Sequence, residues 1–458
     1  MNNNDFFYSA RVAIRSHANG GSILIAATLL ALIVANIPAL SPYYYGLWDY
    51  TVSLRIGNFN LFSHHGEAMT LMQFINDALM AVFFFSIGLE IKREVLVGEL
   101  SSIRQCMLSV LAAIGGMIVP VLIFVYLGRG SDYIGGAAIP MATDIAFSLG
   151  VLSLLGKRVP ISLKIFLTTL AVVDDIGGII VIAIFYTQSI EYTYLLYSAG
   201  LLVLLLLGMR MKIQSKMYYI LLGTAVWFLF LNSGIHPTIA GVLVAFCIPS
   251  VPVLNPRKYI NAIRSSIAHF PVEEEANEPR SGSILSKEQM DWLKHVEEAS
   301  DKVISPLQDM EDSLQPVVNY LVVPLFAFAN AGICFADMQL SDVFEGVSLA
   351  IVCGLVIGKF VGIFLFSFIA IVLKLAPMPA GSNWKMLASI SMLGGIGFTV
   401  SLFITNLSFG SMGEAGLDLL SHSKLGILTG SVLSGILGYL FLSLALPKRS
   451  AVRKKVEG

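Results

Sequence analysis

The chain has 458 residues, of which 56% are hydrophobic and 13% are charged, and its mean hydropathy is +0.78. Soluble domains carry about 25% charged residues, so this composition excludes a soluble globular protein and indicates a polytopic membrane protein. The net charge of −1 gives no reason to expect a nucleic-acid partner, and the partner that the composition predicts is the lipid bilayer.

Twelve apolar segments are candidate transmembrane spans, and they predict an all-α polytopic fold, because a helix needs about 20 residues to cross a bilayer. In chain order the segments are 22–40, 71–90, 106–128, 134–155, 161–186, 193–209, 217–232, 236–250, 316–335, 346–373, 386–409 and 425–446. They divide the chain into spans one to eight at 1–250, a long polar cytoplasmic connection at 251–315, spans nine to twelve at 316–447 and a basic cytoplasmic tail at 448–458.

The distribution of lysine and arginine predicts the orientation of these spans. With both termini in the cytoplasm, 24 of the 29 fall on the inner side and three, Arg55, Arg129 and Lys424, on the outer side. The remaining two, Lys164 and Lys359, fall within spans. Positive charge concentrates on the cytoplasmic side of membrane proteins, so this alternation supports both the number of spans and their direction.

The first outer loop has the pattern of a β-hairpin. Two short runs, 51–56 and 59–62, flank Gly57 and Asn58, a residue pair that is typical of a two-residue turn. A lone two-stranded ribbon is only marginally stable in water, so a copy from a second subunit would stabilise it and form a homodimer. An isolated surface loop explains the same residues.

The connection at 251–315 is the long polar segment of the chain. Pro271 and Pro279 flank an acidic triplet at 273–275, and a charged amphipathic stretch occupies 286–310. This composition predicts a flexible acidic part, followed by a helix that lies on the membrane surface or continues into span nine. Charge runs of this kind are usually solvated, so we assign no chemistry to the triplet.

Two adjacent carboxylates, Asp174 and Asp175, lie in the middle of the apolar run 161–186. A charged side chain at the centre of a bilayer costs at least about 2.5 kcal/mol, and acids at that depth commonly mark ion or proton paths. Consecutive helix residues project about 100° apart, so both carboxylates can line one cavity. The alternative is a polar spot that neighbouring helices satisfy.

Span four holds a further buried acid, Asp144, which follows Thr143 and lies shortly after Pro140. Span eleven contains a matching interruption, Gly-Gly-Ile-Gly at 394–397. Interrupted helices in corresponding places of two halves are the best sequence indication of a transporter's binding site. Where two broken helices cross, their like ends meet, and Asp144 would offset the partial positive charge of the helix N-termini.

Lys359 lies in the middle of span ten, too deep for its ammonium to reach either membrane surface. A buried ammonium requires a carboxylate or carbonyl partner. Lys359 would offset the negative helix ends at the crossing and take a direct part in transport, or it would only stabilise the fold by neutralising one aspartate.

Four other titratable positions are candidates of a weaker kind. Asp77 in span two either lines the ion path or is a satisfied packing group. Glu90 and Glu94 lie at the cytoplasmic end of the same span, where an ordinary interfacial charge cluster explains them equally. His236 opens span eight on the outer side, where a lone histidine is more often a helix-terminal or packing residue than a pH sensor.

Six stretches of the chain together resemble the NhaA sodium/proton antiporters. They are Phe-Ile-Asn-Asp-Ala-Leu-Met-Ala-Val-Phe-Phe from Phe74, Ala-Thr-Asp-Ile-Ala-Phe from Ala142, Val-Asp-Asp-Ile-Gly from Val173, Pro-Leu-Phe-Ala-Phe-Ala-Asn-Ala-Gly from Pro324, Ile-Gly-Lys from Ile357 and Gly-Gly-Ile-Gly-Phe-Thr from Gly394. The similarity covers about 15–446, except for the connection at 251–315. It implies twelve helices, with spans three to five and ten to twelve as inverted repeats and with spans four and eleven broken and crossing.

The resemblance also implies roles for the buried charges. Asp174 and Asp175 would carry the transported ion and protons, while Asp144 and Lys359 would compensate charge at the crossing. It implies a homodimer in the inner membrane of a bacterium, joined through the hairpin at 51–62.

The family's pH-sensing positions fall on Glu90, Glu94 and Glu311, and His236 is a further candidate for that role. Asp312 stands where family members often carry a histidine, and the eighth connection is longer than usual. Both departures bear on the pH at which transport begins rather than on its chemistry.

These residues predict a definite mechanism. A hard cation such as Na⁺ or Li⁺ prefers oxygen ligands, which Asp174, Asp175 and Thr143 supply. The adjacent acids should titrate as a coupled pair, so the site holds protons or a cation but not both. Alternating access then gives electrogenic exchange of cytoplasmic Na⁺ or Li⁺ for external protons, without a resident cofactor.

Three other functions fit parts of the pattern. Sodium-coupled symport of an organic solute would use a similar fold and would add a substrate pocket. An intramembrane aspartyl protease needs its two acids on different helices and a Gly-x-Gly-Asp motif, unlike the adjacent pair in this chain. A passive channel has no need for buried charges in broken helices.

Overall fold

The computed structural model describes residues 20–251 and 304–447, apart from 54, 57–58, 61–62, 65–66, 188–189, 336–337 and 411, and a few isolated residues within 261–294. The acidic part of the predicted connection, most of the amphipathic stretch before residue 304 and the basic tail lie outside the described residues, as do Gly57 and Asn58 of the predicted turn.

Helices form most of the described chain. Their bounds are α1 Gly20–Asn36, α2 Ser41–Trp48, α3 Leu71–Val97, α4 Ile103–Leu127, α5 Ile145–Leu154, α6 Ile161–Phe185, α7 Tyr192–Arg210, α8 Lys216–Leu231, α9 Thr238–Phe246, α10 Pro306–Asn330, α11 Gly346–Val372, α12 Trp384–Leu393, α13 Phe398–Phe409 and α14 Gly413–Ala445. Short 3₁₀ segments occur at Glu99–Ser101, Asp132–Gly136, Ile139–Met141, Gly156–Arg158 and Leu340–Phe344. Three helices contain a π-helical turn: α3 at Ile75–Leu79, α10 at Val318–Val322 and α11 at Gly354–Gly358.

In the described part of the chain, seven helices are long and apolar enough to cross a membrane, namely α3, α4, α6, α7, α10, α11 and α14. Three bent pairs raise the number to ten if each is one span: α1 with α2 at 114°, Asp132–Met141 with α5 at 47°, and α12 with α13 at 43°. The polytopic, mostly helical membrane fold is therefore confirmed. Because α8 and α9 are shorter, the count of twelve spans stays a prediction, and the inverted repeats stay a prediction as well.

Two predicted boundaries were wrong. Span nine begins at Pro306, because the Ser305 side chain accepts a hydrogen bond from the Gln308 amide at 3.3 Å and proline suits the first helical position. The end of the predicted charged stretch, 306–310, is therefore part of the helix of span nine, and most of the rest lies outside the described residues. Span twelve begins at Gly413, so Lys424, which we assigned to an outer segment, lies inside α14.

The helices pack in two groups. The first helix group contains α4, α5, α6, α11, α12 and α14, whose buried side chains form one hydrophobic cluster, together with α13, which packs on α14. The second helix group contains α3, α7, α8, α9 and α10, which share another cluster, together with α1, which packs on α10. A third cluster lies between the groups and draws residues from both.

Glycines permit the closest contacts within each group. In the first group, Gly115 of α4 lies against Gly362 of α11, where neither position has room for a side chain. In the second group, Gly88 of α3 lies against Ala245 of α9. Such close contacts between small residues are a common way to join helices in membranes, where apolar burial contributes little. The two groups are therefore internally tight.

Short strands precede α3. Arg55–Ile56 pairs antiparallel with Phe59–Asn60, with Ile56 opposite Phe59, which confirms the strand pair that we predict across 57–58. The predicted first strand does not run from 51 to 56 without interruption: Thr51–Val52 pairs with Glu67–Thr70, which also pairs with Ser63–His64. Glu67–Thr70 was missed because its sequence lacks the alternating pattern of a strand.

Candidate ion-binding site

Two interrupted helices meet beside the buried aspartates. The chain is extended at 142–144 before α5, and it leaves the helical path at 394–397 between α12 and α13. The amide of Asp144 donates to the carbonyl of Ile396 at 2.6 Å, which ties one interruption to the other. Gly397 has no room for a Cβ because the Ala142 carbonyl would lie 2.7 Å from it. This is why the second interruption is rich in glycine.

The carboxylate of Asp144 lies at the N-termini of both α5 and α13. Its Oδ1 accepts the Phe147 amide at 2.9 Å, and its Oδ2 accepts the Thr399 amide at 3.1 Å and the Thr399 hydroxyl at 2.7 Å. Helix N-termini carry partial positive charge and unpaired amides, so one buried carboxylate satisfies both ends. This is the position that the crossing predicts for Asp144.

The ammonium of Lys359 lies on Asp174. Lys359 Nζ is 2.5 Å from Asp174 Oδ2 and 3.0 Å from Thr143 Oγ1, and both charged side chains are fully buried. Thr143 Oγ1 is also 2.7 Å from Asp174 Oδ2 and 3.0 Å from the Gly394 carbonyl. Lys359, Asp174 and Thr143 thus form one hydrogen-bonded cluster that joins α11, α6 and the interruption before α5.

The described hydrogen bonds of Lys359 go to Asp174 and Thr143, and its compensation of the negative helix ends stays a prediction. The described carbonyls at the end of α12 are bonded by hydroxyl groups instead. Thr143 reaches Gly394, and the Ser148 hydroxyl donates to the Leu393 carbonyl at 3.1 Å. Neutral donors suffice there, because the carbonyls carry only partial charge.

Asp175 faces a cavity rather than Lys359. The cavity has a volume of about 500 Å³, and its charged and hydroxyl lining residues are Ser86, Glu90, Thr143, Asp144, Ser153, Lys164, Thr168, Asp175, Glu311 and Thr399. Asp175 is 4% exposed. Among the described residues its carboxylate has no hydrogen-bond partner in the protein, so it is free to bind an ion that enters the cavity.

Glu90 and Glu311 also line the cavity, and in the predicted topology they lie toward its cytoplasmic end. Arg93 connects the neighbouring acids: its Nη2 lies 2.9 Å from Glu94 Oε1 and its Nε lies 3.1 Å from Glu311 Oε1. The Glu99 amide donates to Glu94 Oε2 at 3.0 Å. The structure therefore brings the three predicted pH-sensing glutamates together and adds Arg93, which sequence reasoning left without a role.

His236 is not part of that group. It precedes α9, whereas Lys92, two residues beyond Glu90, donates to the Phe246 carbonyl at the other end of α9, at 2.7 Å. His236 instead lies beside Asp77, with Nε2 and Oδ1 3.7 Å apart, and its Nδ1 lies 2.9 Å from the Thr238 hydroxyl. Asp77 is therefore outside the Asp174 cluster.

The sequence reasoning also passed over Thr399 and Ser148. Thr399 belongs to the Gly-rich stretch quoted above, and its position directly after the interruption was the available signal. Ser148 gave no such signal in the sequence, because a serine inside an apolar helix commonly bonds its own backbone. Its contact with Leu393 depends on where the two helices cross.

The chain matches the family model described as Na+/H+ antiporter 1 over residues 11–442. Relatives named Na(+)/H(+) antiporter NhaA are found in Phocaeicola vulgatus, Bacteroides fragilis and Helicobacter pylori. The first is 52% identical over 97% of both chains, the second is 54% identical over 93% of this chain and 95% of its own, and the third is 43% identical over 96% of both.

The similarity is more extensive than we predict from the motifs. A match over 97% of this chain includes most of the connection at 251–315, so the exclusion of that connection was wrong. The family model and the relatives both match nearly the whole sequence. The chain therefore belongs to the NhaA family of Na⁺/H⁺ antiporters.

Proposed function

We propose that the protein exchanges cytoplasmic Na⁺ or Li⁺ for external protons by alternating access at Asp174 and Asp175. The observation that carries this proposal is the unequal setting of two adjacent buried carboxylates. Asp175 lies on the wall of a cavity, and Asp174, its neighbour on α6, is bonded to Lys359 and Thr143. Membership of the Na⁺/H⁺ antiporter family supports the choice of ions.

The same oxygens would serve the cation and the protons. An ion in the cavity meets the Asp175 carboxylate first, and it gains Asp174 and Thr143 as ligands only if the Lys359 ammonium gives up its contact. Carboxylate and hydroxyl oxygens are ligands that hard cations prefer. Because Asp174 and Lys359 are coupled, the second proton belongs to that pair rather than to one residue.

Release of two protons for each Na⁺ would move one net charge per cycle. Each elementary charge that crosses the membrane potential corresponds to about 2.3 kcal/mol per 100 mV, enough to expel Na⁺ against its gradient. The positive-inside pattern orients the mouth at Glu90 toward the cytoplasm, with both termini on that side of a bacterial inner membrane.

The charged group at the mouth would regulate transport by pH. Glu90, Glu94 and Glu311 are close enough to Arg93 and to each other for one protonation to change the balance of the others. Asp312 follows Glu311 in this chain, so the group contains one more carboxylate in place of a histidine. We place the pH response here and not at His236.

Sodium-coupled symport of an organic solute is the second candidate, because a cavity of about 500 Å³ is large enough for a small solute. The protease alternative loses support, because Asp174 and Asp175 lie on one helix and cannot face each other across a peptide bond.

One experiment separates exchange from symport. Purified protein in proteoliposomes with a preformed pH gradient should collapse that gradient when Na⁺ or Li⁺ is added, and should not do so with K⁺. Exchange predicts collapse without any added solute. Collapse that requires an organic solute, or labelled-solute uptake driven by Na⁺, would favour symport.

A further inference from the structure

A hydrogen bond between two asparagines joins the two helix groups on the side of the site away from the cavity. Asn406 of α13, in the first group, donates through Nδ2 to Asn330 Oδ1 of α10, in the second group, at 2.7 Å. Asn330 is 0% exposed, and its own Nδ2 donates to Asn76 Oδ1 of α3 at 2.8 Å. The three amides thus form a chain from the first group into the second.

The aromatic ring of Phe403 lies close to these hydrogen-bonded amides. Phe403 lies one turn before Asn406 on α13 and is 0% exposed. Its ring centroid is 5.9 Å from that of Phe84, 6.4 Å from that of Phe326 and 5.3 Å from that of His236, all three in or next to helices of the second group. One side chain of the first group is therefore inserted among three rings of the second.

The cavity ends where this contact begins. On α13 its lining stops at Thr399 and Val400, and on α3 it includes Phe83 but not Phe84. The site is thus open on the predicted cytoplasmic side and closed by Phe403 and Asn406 on the other. Motion of one group relative to the other would have to separate these residues before the site could face the outside.

We propose that the Asn406–Asn330 hydrogen bond is a latch that sets the balance between inward-facing and outward-facing states, with Phe403 as the plug that it holds in place. This inference rests on the alternating access proposed above. An amide at membrane depth is costly without a partner, so the closed outer side needs the bond, whereas water satisfies both amides once that side opens. Breaking the latch therefore destabilises the inward-facing state alone.

The latch can be tested by Asn406→Leu, which keeps the approximate volume and removes the donor. In proteoliposomes of one orientation, we expect the KM for Na⁺ at the outer face to fall about five- to tenfold relative to the KM at the inner face, the factor that one net hydrogen bond supplies. Ser408→Ala is the matched control. It removes a hydroxyl from the same helix end whose partner, Tyr186 at 3.0 Å, is in the first group, so the KM ratio should not change.

A second measurement does not depend on transport. A cysteine at Thr168, on the cavity wall, should react more slowly with an impermeant thiol reagent from the inner side in the Asn406→Leu protein than in the Asn406 parent. The same proteins without Thr168→Cys give the background of the four native thiols. If Asn406→Leu fails to insert, Asn406→Ser replaces it in both measurements.

Unchanged KM ratios and labelling in either Asn406 variant would overturn the latch, and so would an equal shift in Ser408→Ala. If the proposed antiport function is wrong, the measurements give a different result. In that case the parent protein itself would show no Na⁺-driven proton movement, and the labelling at Thr168 would still decide whether Asn406 controls the opening.

Discussion

The Lys359 ammonium lies 2.5 Å from the Asp174 carboxylate, and both side chains are fully buried. Asp175, the next residue of α6, lies instead on the cavity wall without a described partner. A single turn of helix thus holds one carboxylate that is already neutralised and one that is not. In the proposed mechanism, an arriving cation would be attracted by the second carboxylate and would have to compete with an ammonium for the first.

Asp175→Asn should reduce Na⁺-driven proton movement to the level of empty proteoliposomes while the protein still inserts and folds. The amide keeps the shape of the side chain but can neither balance a cation nor carry a proton. Fluorescence of a trapped pH indicator measures the exchange. Asp132→Asn, at an exposed position that we predict to lie on the outer side, is the control and should exchange as the parent does. Parent-like exchange by Asp175→Asn would remove this residue from the mechanism.

Asp174→Asn should also abolish exchange, but at a cost in stability that Asp175→Asn does not have. It leaves the Lys359 ammonium buried without its counter-charge, a loss that typically costs about 3–5 kcal/mol. Lys359→Gln should destabilise the protein by a similar amount for the converse reason. The double variant Asp174→Asn/Lys359→Gln should recover most of the loss, because two neutral amides can bond each other. Thermal unfolding in detergent measures this, and a double variant no more stable than either single one would contradict the ion pair's role.

Lower pH should raise the KM for cytoplasmic Na⁺, because protons and the cation compete for the same carboxylates. If one proton competes, KM rises by up to about tenfold per pH unit, and two competing protons give up to about 100-fold. Initial rates across a pH series, with the internal pH clamped, give the slope. A KM independent of pH would mean that ion and proton use different sites. Glu311→Gln is a useful comparison, since it should shift the onset of activity without changing the slope.

The sequence predicts the chemistry of the site better than its contacts. Asp144, Asp174, Asp175 and Lys359 are conspicuous because charge is costly at membrane depth, and the interruption at 394–397 is conspicuous because glycines break helices there. The partner of Lys359 was not predictable. Three buried acids were available, and the choice of Asp174 depends on how α11 rotates and where the broken helices cross.

Asn330 and Asn406 show the same limit. Asn330 occurs in the stretch from Pro324 that supports the family resemblance, yet its position gave no reason to assign it a function. An asparagine in an apolar helix must find a partner, but the sequence does not say on which helix. The π-helical turns of α3, α10 and α11 were likewise missed, because one extra residue in a turn leaves no clear pattern in composition.

Deletion of residues 271–282 should leave exchange intact. The segment is polar and rich in helix-breaking residues, and it lies outside the described residues and far along the chain from every member of the Asp174 cluster. A regulatory role of this segment would show as a shifted pH profile rather than as lost transport. Normal expression with no exchange at any pH would show that the connection gates the carrier.

Deletion of residues 55–60 should convert a dimer into monomers that still exchange ions. Arg55–Ile56 and Phe59–Asn60 form a two-stranded sheet whose outer edges carry unpaired backbone groups in the described structure, and a symmetric copy could satisfy them. The deletion must spare Thr51–Val52, because its pairing with Glu67–Thr70 precedes α3 and is part of the fold.

Size-exclusion chromatography with light scattering in detergent gives the mass, and a deletion of equal size in another predicted outer loop, at 336–341, is the control. A dimer of unchanged mass would refute the contact. Inactive monomers would mean that Asp174, Asp175 and Lys359, although complete within one chain, depend on the pairing of subunits.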